Sequence, residues 1–505
     1  MTERPAADSG EAATKAMQDA DVGGAAPTSP LLHDALITIV TRFGLALVIF
    51  GTDILLARLL LPAAKGRFTL ALLTSQTAAL VVSWGMDSAL GVIARRDRET
   101  ARRGLANAIL WAAVVGGFSV VVACWAYGIP TSGRPEGPLA TLIPNLSEQQ
   151  FVFSAVALPG ELFFSIGLFA LLGRGQVMAY SAIRFLRRAS LLVLVIAVAG
   201  IAWLSPELRL SLDVVLAVNV VALALTIVAI LWVAHRDGIL SVRPSMPLLE
   251  EELRFGSRAI VGTIAERLQF RSDAFLLNLF VGVRATGIYS VTSGLAETLW
   301  YVPNALGLVM FSRAVDPQAN SGRIAAVLTR TTIAVTLATA IPAFVIGPQL
   351  VRLVYGSQFA DAGVALRLIL PGVVLYSVVA ILSRYIVGRG RPGAGTVLLL
   401  IGLAANIACN LVLIPRFGIL GAAASSSISY GLTALITLVV FVRMSGRGWR
   451  ETLILRRSDV AALRSALDAI RTRLEGRRGG PLIGLRGGEK AAELIIGERE
   501  PGDEP

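Results

Sequence analysis

Apolar runs of about twenty residues recur along this chain from Leu36 to Val442, and each is as long as a helix must be to cross the hydrocarbon layer of a bilayer. No water reaches the backbone there, so every N–H and C=O has to be satisfied internally, which leaves helices and closed barrels. The runs are continuously apolar rather than alternating, and that argues against a barrel. Composition agrees. Hydrophobic residues make up 55% of the chain and charged residues 16%, where a soluble protein carries roughly a quarter charged. Mean hydropathy is +0.70. The sequence predicts an all-α integral membrane protein of about twelve transmembrane helices.

The runs divide the chain. Residues 1–35 are rich in Ala, Gly, Asp, Glu and Pro, show no apolar period, and are expected to be a disordered cytoplasmic N-terminus. Residues 36–234 hold the first six spans, 235–259 a cytoplasmic linker and 260–442 six more. Residues 443–505 form a basic tail. In it Val460, Leu463, Leu467, Ile470 and Leu474 recur at three- and four-residue spacing, so an amphipathic helix is expected over 451–475. Basic residues in the short loops set the orientation. The loops on the side of the N-terminus include Arg95, Arg96, Arg102, Arg174, Arg184, Arg187 and Arg188. The opposite loops, with Arg58, Lys65 and Arg67, hold fewer. Both termini are therefore expected in the cytoplasm. The net charge of +12 is this topogenic bias plus the tail, and nucleic acid is not an expected partner. Cys124 and Cys409 both lie inside spans, where packing is the natural role and neither a structural disulfide nor a zinc site is expected.

The chain also resembles itself. The first span exits through Ala57-Arg58-Leu59-Leu60 to Gly66 and Phe68, and the seventh through Asn278-Leu279-Phe280-Val281 to Gly287 and Tyr289. In both, a glycine stands two residues before an aromatic, well after an acid, Asp53 or Asp273. Leu158-Pro159-Gly160 is followed by Gly173-Arg174-Gly175, as Leu370-Pro371-Gly372 is by Gly388-Arg389-Gly390. The same order twice predicts two six-helix lobes around a central cleft, related by an axis along the membrane normal.

Those exit residues resemble a known family. Ala57-Arg58-Leu59-Leu60 with Gly66 and Phe68 is similar to the signature of bacterial polysaccharide flippases. The stretch from Asn406 and Asn410 through Leu413-Ile414-Pro415 to Gly418, Gly421, Ala422 and Ala423 is similar to the segment before their last helix. The usual Gly-Pro-Glu is here Leu61-Pro62-Ala63, a change expected to lie in a loop. This resemblance covers Leu36 to Val442. It implies the O-antigen or oligosaccharide flippase branch of the multidrug/oligosaccharidyl-lipid/polysaccharide exporter (MOP) superfamily. The implied activity is export of an undecaprenyl-diphosphate-linked glycan across the bacterial inner membrane.

The residues themselves show no catalytic constellation and no phosphate-cradling loop ending in Gly-Lys-Ser/Thr. Nothing marks a cofactor or a metal site, and the protein is expected to be a transporter rather than an enzyme. The informative side chains are charges inside spans, which cost about 2.5–3.5 kcal/mol each at a helix centre and so face protein or water. Arg267 and Arg271 share a helix face, and guanidinium forks match phosphate oxygens. With Arg42 from the first span they are the candidate diphosphate ligands. Glu266, Asp273, Asp87, Glu161 and Glu297 are candidates for ion coupling, or for an ion-pair network that only holds the arginines. Asp53, Asn304 and Asn406 are weaker. His33 and His235 sit at span edges, and Asp19 and Asp21 lie in the polar N-terminus.

The driving force is left open between the membrane potential and an H+ or Na+ gradient. Expected partners are the polyprenyl-diphosphate-linked glycan, membrane lipids and a glycan polymerase or other biosynthetic protein. Two further readings stand beside the flippase: a cation-coupled exporter of small amphipathic compounds, and a non-transporting scaffold for glycan synthesis.

Overall fold

The computed structural model describes residues 28–129, 137–204, 211–315, 320–457 and Asp459, with side chains from Leu47 onward, Ser312 aside. Among them the regular structure is helical, with no strand. The first half comprises α1 (Thr28–Val82), α2 (Met86–Ile93), α3 (Arg98–Trp111) running through a π turn into α4 (Gly117–Tyr127), α5 (Pro138–Leu142), α6 (Glu148–Gly173), α7 (Val177–Leu204) and α8 (Leu212–Arg236). The second comprises α9 (Met246–Phe280), α10 (Val283–Thr298), α11 (Tyr301–Val315), α12 (Ser321–Tyr355), α13 (Ala360–Gly388), α14 (Pro392–Ser445) and α15 (Trp449–Leu453).

Local chemistry sets the ends and breaks. Ser147 opens α6 with a capping box, its hydroxyl taking the Gln150 N–H while the Gln150 side chain takes that of Ser147. α1 breaks at Leu61 (φ 60, ψ 171). Pro62 follows, and a proline disfavours helical backbone in the residue before it while suiting the first turn of the next helix. α14 breaks at Gly418 (φ 56, ψ −127), a conformation open to glycine. The loop expected at Leu61-Pro62-Ala63 is thus a single residue, after which the chain is helical again.

Among the described residues, eight helices are long and apolar enough to cross a membrane; α1 and α14 are among them, each broken at one residue. The chain is an integral membrane protein. Two expected spans fall outside this group. Ile260–Val281 carries Glu266, Arg267, Arg271 and Asp273, and Tyr289–Phe311 is split at Leu299 and Trp300 into α10 and α11. Arg184, Arg187 and Arg188, expected in a loop, stand in the first turns of α7, and Lys65 stands in α1. Hydropathy misses such turns because their charged residues delay the apolar signal.

Each half buries its own core. The first half packs Leu90, Leu105, Leu162 and Ile166 in one cluster and Leu56, Leu191 and Leu216 in another. The second half packs Leu277, Leu370 and Leu438 with a group of rings, Phe270, Trp300, Tyr376 and Tyr430. A smaller cluster, with Ala57, Ile288, Val291, Val351 and Phe359, joins the halves at one end. Lipid is as apolar as leucine, so helices in a bilayer associate through close packing and hydrogen bonds. One such close approach is glycine on glycine. A Cβ on Gly66 would overlap the Val283 carbonyl, and one on Gly287 the Pro62 carbonyl.

Beyond Ser445 the chain turns back onto α12. Buried Arg330 grips Asp459 with two bonds of 2.7 and 2.9 Å and also donates to the Glu451 carbonyl. Of the tail helix expected over 451–475, residues 451–453 lie in α15 and Ile454 is extended. The remainder past Arg457, Asp459 aside, lies outside the described residues, as do residues 1–27.

Candidate functional site

The two halves are sealed against each other at the end where Leu61, Gly282 and Gly356 lie. Arg58 donates to the carbonyls of Val354 (2.8 Å) and Leu353 (2.5 Å), satisfying carbonyls that the last turn of α12 leaves without a helical partner. Asn278 donates to the Pro144 carbonyl at 2.7 Å. Lys65, nearly enclosed, pairs with Asp53 at 2.5 Å. Away from this seal, toward the arginine-rich face, α7 and α11 approach each other, and the region between them is termed the cleft. Tyr301 of α11 there lies in the field of Arg184 and Arg188 of α7.

The cleft walls are cationic. From the second half, Arg271 is held by Glu297 through two bonds of 2.6 and 3.0 Å. Arg267, one turn before it, crosses to the first half and donates to Gln76 at 2.7 Å. From the first half, Arg187 is bound by Glu161 at 2.8 Å and by the Asn219 carbonyl oxygen at 3.1 Å. Tyr180, Arg184 and Arg188 follow at four-residue spacing and form a stripe on α7. Arg184 reaches the Tyr180 hydroxyl at 3.2 Å, with its guanidinium 5.4 Å from that ring's centroid. Arg188 is exposed and has no hydrogen bond or ion pair among the described residues, yet its charge is felt by Arg187, Glu161 and Arg271. The pairs with Glu297 and Glu161 cancel two of these five charges. Arg184, Arg188 and Arg267 have no acid within ion-pair distance among the described residues.

The expected site residues separate into groups. Arg267, Arg271, Glu297 and Glu161 share the cleft. The side chain of Arg42 lies outside the described residues, as does that of His33, and so do Asp19 and Asp21. Glu266 is exposed on α9 and pairs with neither arginine; it lies in the field of Tyr376, with Arg384. Asp273 points away from the cleft into the second half, 2% exposed. There it accepts from Tyr289 (2.6 Å), Ser426 (2.5 Å) and Asn410 (2.7 Å). Asn406 belongs to the same network, taking bonds from Ser272 and Asn410. Asp87 accepts from the Ser88 backbone and the Ser165 hydroxyl, and Asp53 belongs to the seal. Asn304 is exposed on α11, and His235 lies at the end of α8 beside Arg98 and Arg102. Neither takes part in the cleft network. Arg184, Arg187, Arg188 and Gln76 were not expected there. The signal that would have found the arginines is their spacing with Tyr180.

The architecture now admits comparison. The lipid II flippase MurJ in an inward closed conformation superposes with a TM-score of 0.69 at 10% identity, over 91% of this chain and 97% of that one. An inward-facing multidrug resistance MATE transporter of the MOP superfamily does so with 0.61 at 17% identity, over 80% and 94%. The chain has the MOP-superfamily fold. Residues 175–363 match a family described as polysaccharide biosynthesis protein, a stretch that includes every cleft arginine named above. A probable low-salt glycan biosynthesis flippase, Agl15 of Haloferax volcanii, is 24% identical over 229 residues, 42% of this chain and 46% of that protein. An uncharacterised membrane protein of Methanocaldococcus jannaschii is 24% identical over 193 residues, 37% and 38%. The matches span less than half the length of these curated relatives. The resemblance to the MOP superfamily and its polysaccharide branch, read from the exit residues, is borne out. Agl15 is described as a probable flippase, and the two fold neighbours as a flippase and a transporter.

Proposed function

We propose that this MOP-fold protein flips a polyprenyl-diphosphate-linked oligosaccharide from the cytoplasmic to the outer leaflet of a bacterial inner membrane. The product would serve cell-surface or exopolysaccharide synthesis. The reading takes twelve spans in two six-helix lobes, both termini cytoplasmic, working by alternating access. The observation that carries it is the set of cleft arginines left without acid partners. Arg184, Arg188 and Arg267 come from both halves, so an anion between them is held by both. Guanidinium forks bind phosphate oxygens by paired, charge-assisted bonds, and a diphosphate offers several such oxygens around about two negative charges. What the cleft recognises is then the diphosphate, whatever the length of the polyprenyl chain. With the membrane negative inside, moving that headgroup outward releases about 2.3 kcal/mol per charge per 100 mV, and no nucleotide is needed.

A cation-coupled cycle is the second reading, and Asp273 favours it. It is a buried acid with three hydrogen-bond donors and no cation within ion-pair distance among the described residues, a group on which an H+ or Na+ gradient can act. The test of the first reading is flipping of a diphosphate-linked oligosaccharide in proteoliposomes, scored by its exposure to an impermeant glycosidase. The R188A/R267A variant is expected to reconstitute normally and flip at least tenfold more slowly. Flipping at the wild-type rate removes the diphosphate from the reading.

A further inference from the structure

α9 belongs to both halves. From Gln269 onward it is fastened to α14: Gln269 donates to Thr433 at 3.2 Å, Ser272 to Asn406 at 2.8 Å, and Asn410 to Asp273. Its first turns lie instead on the first half, at the arginine-rich face. There Gly256 meets Gly85, which holds a left-handed φ of 75 between α1 and α2. A Cβ on either glycine would overlap the other's backbone. Asn107 of α3 brackets the start of α9, accepting from the Ser245 N–H at 2.8 Å and donating to the Ser245 carbonyl at 3.1 Å.

Into the middle of this contact goes Glu252, 0% exposed and ahead of the span that opens at Ile260. Gly104 makes the room: a Cβ there would stand 2.9 Å from Glu252 Oε1. Oε2 accepts one bond, 3.1 Å from Asn107 Nδ2, and Oε1 has no partner among the described residues. Among the described residues no cation pairs with the group. On its own helix, Glu251 is paired with Arg96 at 2.6 Å and Glu250 with Arg254 at 2.6 Å. On α3, Arg103 and Glu99 pair with each other in the open, with Arg102 exposed beside them. On α2, Asp87 turns to Ser165. A carboxylate has room for about four accepted bonds, and burying one with a single donor favours the neutral form.

We propose that Glu252 is a proton-binding site: neutral, it docks the first turns of α9 on α2 and α3, and ionised, it releases them. Burial, with the charge of Glu251 adding to it, pushes this carboxyl up to about 8 from an ordinary value of 4.5. The docked form therefore holds a proton that the released form gives to water. Docking is at full strength below the ordinary value, and weakens by up to tenfold per pH unit as pH rises toward the docked value. Above about 8 it changes no further. α9 is fixed to α14 by its other end, so release detaches the second half from the arginine-rich end of the first. Hydrogen exchange reads the docking directly and without substrate, so its outcome is independent of what the cleft carries.

The experiment is hydrogen–deuterium exchange of residues 246–258 in the full chain in nanodiscs, from pH 6 to 9, corrected for intrinsic rates. Wild-type opening is expected to rise up to ~100-fold between pH 6 and 8 and then level off, while E252Q stays protected to pH 9. A wild-type profile without pH dependence overturns the proposal, and this arm needs no variant to fold. An E252Q profile that follows the wild type overturns it as well.

Discussion

Arg187 and Arg188 are neighbours in sequence with opposite expected roles, and separating them tests the reading of the cleft. Arg187 is spent within the protein. Its side chain and that of Glu161 are each 9% exposed, 2.8 Å apart, with Asn219 completing the contact. In R187M, Glu161 keeps its charge and loses its donor. Breaking a buried pair in this way costs about 3–5 kcal/mol, whereas replacing both partners by neutral groups of similar volume is often neutral. If the first half, roughly 200 residues, melts as one unit, its unfolding entropy is near 0.4 kcal/mol per degree, so R187M should lower Tm by roughly 7–12 °C. R187M/E161Q should recover most of that loss. The assay is thermal unfolding of purified protein in detergent, followed by flipping in proteoliposomes. R187M/E161Q is expected to flip like the wild type, because the Arg187 charge is buried and already paired with Glu161, while R188A keeps its Tm and loses flipping. The reasoning fails if R187M melts within ~2 °C of the wild type, or if the double variant melts as low as the single one.

Three further outcomes are expected. G66A or G287A would set a methyl group into a carbonyl of the facing helix; either should hold the seal apart, and a cysteine placed at Leu61 should react with an impermeant maleimide at least tenfold faster. R330A strands Asp459 and frees the tail segment, so trypsin should cut at Arg456 and Arg457 at least tenfold faster than in the wild type. Collapsing the membrane potential with a potassium ionophore, pH gradient intact, should slow flipping in vesicles. Flipping that follows the pH gradient alone would instead direct attention to D273N, since the arginines cannot release a proton at accessible pH.

Much of this fold was legible in the sequence because hydropathy and punctuation are local. Leu61-Pro62-Ala63 was expected in a loop where the structure has a one-residue break at Leu61, and the resemblance between the exits selected Gly66 and Gly287, though not that they would touch. The site was only half legible. Arg267 and Arg271 stood out as charges within an apolar run, but which acid answers Arg271 depends on how α9 and α10 pack, and Glu297 was one of several possibilities. Arg188 was hidden by the rule that reveals orientation, since an arginine just ahead of a span scores as a loop residue. Glu252 was hidden in the same way. It stands in a polar stretch before its span, and only tertiary packing removes it from water.

The contact between Gly66 and Gly287 also bears on how much motion this architecture can multiply. Two backbones in touch tolerate displacements of a few tenths of an ångström before they collide or part. From Gly66 to Val82 the helix runs ~24 Å at 1.5 Å per residue. A tilt of ~10° about the glycine pair moves the far end by ~4 Å, but the residue next to the fulcrum by only ~0.3 Å. A stiff joint without side chains at one end is therefore compatible with a wide stroke at the other. The groups working there must stay in register with a ligand over that stroke, and the long, jointed stem of an arginine can follow it where a shorter side chain would lose hold.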